Sequence, residues 1–99
     1  MSKSTDPVLI PKEKIAALRF PEQEVKSCPE EMKSLRHKLY IATTLGNLNQ
    51  HKCRITFSDE EGVKAVETTI WATAEQRIVL KYGLTIPIHR IHDVNVYVA

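Results

Sequence analysis

The second half of the chain alternates. Cys53, Ile55 and Phe57 fall on one parity, and Lys52, Arg54, Thr56 and Ser58 on the other. A pleated strand sends successive side chains to opposite faces, so this pattern predicts one face turned to a core and one to water. The turn Asp59-Glu60-Glu61-Gly62 follows, then a β-branched run over residues 63–73, then two short apolar stretches parted by Tyr82-Gly83. Short alternating runs punctuated by turn residues predict a meander of antiparallel strands. Strands are expected at 52–58, 63–73, 77–81, 84–88 and 94–98. In the second of these, Val66, Ile70 and Ala72 share one parity while Ala65 and Trp71 share the other. Large residues on both faces call for a bend or bulge within it. Pro87 lacks an N–H and belongs at a strand edge or end. Residues 88–91 read as a single helical turn joining the last two strands.

The first half reads differently. Pro7 and Pro11 bracket Val8-Leu9-Ile10, an apolar tripeptide that either packs on its own domain or docks elsewhere. Ile15 and Leu18, three apart, predict a short helix over 12–20 that Pro21 ends. Residues 21–29 are polar and bounded by prolines, as in a linker. Ser27 and Glu30 match a capping box, with Pro29 in the first turn. Met32, Leu35, Leu39 and Ala42 then share a helical face, and Gly46-Asn47 is the expected stop. Residues 39–44 are rich in β-formers and fit a strand equally well, and Ile41 lies off the helical stripe. Together these signals predict a mainly β protein, with one or two N-terminal helices before a five-stranded small barrel. Residues 1–29 form a lead with a short helix and linker, and 30–99 form one domain.

Three stretches resemble the SH3-like small barrels, in particular the Sm-like group that includes the RNA chaperone Hfq and the Rho inhibitor Rof. Cys53-Arg54-Ile55-Thr56-Phe57 before an acidic glycine turn is similar to the first strand of such barrels. Arg77-Ile78-Val79-Leu80-Lys81 is similar to the third. Residues 86–94, Ile-Pro-Ile-His-Arg-Ile-His-Asp-Val, are similar to the closing strand–turn–strand. The resemblance covers residues 48–98. Hfq-like proteins carry a lysine–histidine pair in the last connection; here Ile88-His89 stands there, so only His89 carries over.

Charge argues for modest electrostatics. The net charge is +2, too small to imply wrapping of nucleic acid or an anionic membrane. Residues 1–58 hold ten Lys/Arg and six Asp/Glu, whereas 59–99 hold four and six. A basic face must therefore come from the helix and first strand. Lys33, Arg36, His37 and Lys38 cluster on the helix, which more often makes a solvated face than a binding one. Residues 1–7 carry no apolar stretch of leader length, and Cys28 and Cys53 are expected as free thiols, so a cytoplasmic location is expected.

No residue set converges on catalysis. Cys28, at a helix start, has no histidine placed to activate it. Glu60 and Glu61 are turn carboxylates, and the three glycines are scattered. His51, Cys53, His89 and His92 lack the spacing of a structural zinc site, and Cys53 fits the inward parity. No enzyme activity, metal or cofactor is expected. The expected role is a non-catalytic protein-binding or regulatory module. The alternative is binding of RNA or single-stranded DNA through Lys52, Arg54, His89 and Arg90. Trp71, Tyr82 and Tyr97 are possible stacking faces, although a lone tryptophan is expected in the core.

Overall fold

The computed structural model describes residues 8–25, 28–49 and 51–97. Among them are seven strands in two sheets and one α-helix. The strands are β1 (Val8–Leu9), β2 (Cys53–Asp59), β3 (Gly62–Thr68), β4 (Ile70–Thr73), β5 (Arg77–Leu80), β6 (Thr85–Pro87) and β7 (Ile91–Val96). The helix, α1, runs Pro29–Asn49. One sheet has the order β1-β3-β2-β7 and the other β4-β5-β6.

The alternation of β2 does what its parity requires. Cys53, Ile55 and Phe57 are buried, with Arg54 and Thr56 half-buried between them. Past Phe57 the alternation breaks, because the β2–β7 register shifts between Thr56 and Phe57 and Ser58 and Asp59 turn inward too. The expected long second strand bends at Thr69 and divides into β3 and β4, which lie in different sheets. The last strand starts three residues early, at Ile91, and Val98 lies outside the described residues. A 3₁₀ turn at Ile88–Arg90 joins β6 to β7, as residues 88–91 predicted. Seven strands replace the expected five because β3 and β4 separate and because Val8–Leu9 adds a short parallel strand to the β3 edge.

The helical half departs in two places. Residues 12–20 form a 3₁₀ segment, Lys12–Ala17, in which Ile15 alone is buried, rather than an α-helix. One buried residue gives no stripe to propagate against the sheet. Residues 39–44 are helical, and α1 runs through Gly46-Asn47 to Asn49. Gly46 therefore does not end the helix. An added Cβ there would stand 2.7 Å from the Ile70 carbonyl oxygen, so glycine lets α1 lie against β4. The proposed cap at Ser27 lies outside the described residues, as do residues 1–7.

The core joins both halves. Leu35, Leu39 and Ala42 from α1 pack with Ile55, Phe57, Val66, Ile70, Ile78, Leu80, Ile86, Ile88 and Ile91. Full burial of each large aliphatic or aromatic side chain contributes roughly 1.5–3 kcal/mol. Ile15 belongs to this cluster, and Phe20 packs against Phe57 with ring centroids 5.8 Å apart and planes tilted by 53°. No helix among the described residues is long and apolar enough to cross a membrane.

Candidate functional site

The four basic residues singled out in the sequence fall at two ends of β2. Lys52 is exposed at one end, where its carbonyl accepts from the Tyr97 N–H at 3.0 Å. Arg54 is half-buried beside it, opposite Glu67 on β3 and Asn95 on β7. Tyr97 Oη donates to the Glu67 carboxylate at 2.8 Å, and that bond raises the tyrosine pKa while Arg54 opposes the rise.

His89 and Arg90 sit at the other end and hold the lead in place. His89 Nε2 donates to the Pro21 carbonyl at 2.8 Å. Arg90 is buried, and its guanidinium donates to the Ser58 carbonyl (3.0 Å), the Gln23 carbonyl (2.7 Å) and Ser58 Oγ (3.2 Å). A planar fork with fixed donors suits this task. Its hydrogen bonds are spent on the fold.

Ser58 Oγ also hydrogen-bonds His92 Nε2 at 3.1 Å. This has the outline of a nucleophile–base pair, but Ser58 is buried, which keeps its hydroxyl from a substrate; accepting from Arg90 leaves its proton for His92. Cys53 Sγ donates to the Thr68 carbonyl, and burial pushes its thiol up to about 12, so it stays protonated and inert. His51 Nδ1 lies 3.1 Å from the Tyr97 carbonyl. Among the described residues no group of three or more His, Cys, Asp or Glu is placed to hold a metal. A cleft of about 640 Å³ beside β6 mixes Glu22, Glu24 and Glu75 with Arg36, Arg77 and His89, so it favours neither sign of charge.

The surface that stands out lies elsewhere. Trp71 is 46% exposed, contrary to the core position expected of a lone tryptophan. The β4–β5 register shifts between Ile70 and Ala72, so Trp71 sits at a bulge: Ile70 points inward while Trp71 and Ala72 both face out. Tyr82, 69% exposed, meets it with ring centroids 6.3 Å apart. The Lys12 and Lys81 ammonium groups each lie 5.5 Å from the Tyr82 ring centroid. Asn47 of α1 donates from Nδ2 to the Trp71 carbonyl at 3.2 Å, and the Lys81 N–H donates to the Thr69 carbonyl at 2.9 Å. These two bonds tie the patch to rigid elements.

Compared with known proteins, the chain matches no family model, no curated protein and no solved structure. What the site can do therefore rests on its own geometry.

A second feature adjoins the patch. Residues 39–49 of α1 carry no charged side chain. On the outer face of that stretch Tyr40, Ile41 and Leu48 are 67%, 41% and 74% exposed. Thr44, exposed between Tyr40 and Leu48, bonds back to the Tyr40 carbonyl. A solvated helix face normally carries charge, so an uncharged ridge with three large exposed apolar side chains is a departure from the ordinary. Sequence periodicity identifies the inward stripe, and Ile41 lying off that stripe was the available signal for an outward apolar face.

Proposed function

We propose that the chain is a small, cytoplasmic, non-catalytic binding or regulatory module that acts by contact with a protein partner. The reading takes its two sheets together as an SH3-like small barrel of the Sm-like kind. Three features support that barrel. The strand order β7-β2-β3 continues through the bend at Thr69 into β4-β5-β6. All pairings within that set are antiparallel. A single 3₁₀ turn links β6 to β7.

The observation that carries the protein-partner reading is the uncharged outer ridge of α1, with Tyr40, Ile41 and Leu48 exposed. Interface centres are depleted in charge and enriched in aromatic and large apolar side chains, and a few of these carry most of the affinity. A helix that presents them on rigid backbone needs little reordering to bind.

The test is a comparison of two baits at native expression: the wild-type chain and the double variant Ile41→Gln, Leu48→Gln. After cross-linking, a defined protein should be retained by the first and lost from the second, while Lys52→Gln retains it. Both substituted side chains are exposed, so melting temperatures should agree within a few degrees. Equal retention by both helix baits, or no protein retained by either, overturns the reading.

A further inference from the structure

We infer that the Trp71–Tyr82 patch is a stacking platform for single-stranded nucleic acid, with Lys12 and Lys81 as its phosphate contacts. This goes beyond the protein-partner reading and uses a different surface.

Tyr82 has φ +70°, the only positive φ outside glycine among the described residues, and Gly83 follows at +83°. A Cβ is disfavoured in that region, and glycine or asparagine is the usual occupant. Packing does not explain the tyrosine, because its ring is largely exposed and stands outside the core cluster. What the strained backbone achieves is placement of an aromatic ring beside Trp71. Such outliers concentrate at ligand-binding sites.

Two exposed aromatic rings and two ammonium groups lie together, and Lys81 makes no ion pair among the described residues. Among the described residues Lys12 ion-pairs with Glu13 alone, at 3.8 Å. Next to Trp71 is an open cavity of about 290 Å³ lined by Gly46, Asn47, Thr69, Trp71 and Lys81, with no carboxylate among them. The ligand that fits is a polyanion with flat apolar faces. Bases stacked on aromatic rings, with phosphates steered by nearby cations, meet that description. A duplex hides its base faces and does not.

Trp71 is the chain's one tryptophan, so its fluorescence reads the patch directly. The probes are a mixed-sequence 12-nucleotide RNA, the matching DNA single strand, the DNA duplex, and an acidic decapeptide. Both single strands should quench Trp71, and the duplex and peptide should not. Two neutralised phosphates imply a roughly sevenfold loss of affinity between 50 and 200 mM salt. Lys81→Gln should halve that salt slope. Tyr82→Asn should weaken binding roughly 5- to 150-fold, the range for one lost stacking partner, while melting no lower than wild type. The α1 double variant should bind the oligonucleotides like wild type, so this inference and the protein-partner reading fail separately. Absence of quenching at high oligonucleotide concentration overturns the inference. So does wild-type affinity in Tyr82→Asn, or equal binding of the acidic peptide, which would assign the patch to a protein.

Discussion

Asp59 shows how a single buried carboxylate shapes the β2–β3 hairpin. Its Oδ1 accepts from the Glu61 and Gly62 N–H groups at 3.0 and 3.1 Å, and both its oxygens accept from Lys64 Nζ, at 2.9 and 3.0 Å. Burial opposes ionisation of this group. The Lys64 bond and the two backbone donors outweigh it and hold the carboxyl below its ordinary value. The hydrogen bond from Lys64 to Asp59 in turn raises the lysine. A depressed carboxylate contributes stability above its unfolded value near pH ~4, lost as pH falls through the lower folded value. A raised lysine contributes below its unfolded value near pH ~10, lost as pH rises through the higher folded value. The pair therefore acts across the whole range between. Asp59→Asn should cost about 1–3 kcal/mol at neutral pH, the range for a disrupted buried hydrogen-bonded charge. In urea melts the gap from wild type should narrow steadily from pH 5 to pH 2; a constant gap would assign the loss to packing alone. Arg90 makes a comparable argument by shape. Arg90→Lys keeps the charge but cannot fork to Ser58 and Gln23 together, so a loss of about 1–3 kcal/mol is expected. Amide exchange should quicken at Val25, whose N–H bonds the His89 carbonyl.

At the scale of elements, Gly46 sets how closely α1 approaches β4. Alanine is the better helix former by about 1 kcal/mol, so Gly46→Ala on an open helix would stabilise. Here the new methyl meets the Ile70 carbonyl oxygen at 2.7 Å, a backbone atom that cannot rotate away, and a Thr69 methyl at 3.0 Å. Overpacking of about 1–3 kcal/mol should win, and the variant should melt below wild type. A higher melting temperature would mean the helix shifts freely. The same residue marks the limit of sequence reading. Glycine stands both at helix ends and at close approaches, and only the Ile70 carbonyl across the contact distinguishes them. Elements with a strong period were legible: Cys53, Ile55 and Phe57 by alternation, Leu35, Leu39 and Ala42 by helical spacing. Where the reason for a residue lies across space, the reading failed. Trp71 was expected inside because a lone tryptophan in a small barrel usually is, and the bulge that turns it outward is set by pairing with β5. Arg90 looked like a surface cation because its acceptors lie 32 and 67 residues away. Tyr82 and Trp71 were each readable as stacking faces, but their meeting depends on β4, β5 and the following turn being assembled.

For the molecule as a whole, the question is whether the lead is ornament or structure. The Cα radius of gyration is 12.9 Å, against roughly 13 Å for a packed chain of about 100 residues. The described part of the lead is fastened at intervals along the sheets. Val8–Leu9 pairs in parallel with Lys64 and Ala65, and the Ile10 N–H donates to the Ala65 carbonyl. Ile15 enters the core and Phe20 packs on Phe57. The Arg19 carbonyl accepts from the Glu60 N–H, and Pro21, Gln23 and Val25 bond His89 and Arg90. Val8 and Leu9 remain more than half exposed, so β1 gains little from burial and serves chiefly to occupy the β3 edge. An uncovered strand edge is a template for pairing with another chain. A chain beginning at residue 26 would lose that cover, the Ile15 and Phe20 packing, the Pro21 acceptor of His89 and the Gln23 acceptor of Arg90, leaving Arg90 only its bonds to Ser58. It should melt well below the full chain and self-associate as concentration rises, read by light scattering on a sizing column. A shorter deletion, of residues 1–11, removes the edge strand but keeps Ile15 and Phe20. It should associate with little change in melting temperature. If the shorter deletion stays monomeric, edge protection is not what Val8–Leu9 provides, and the lead acts only by filling the core.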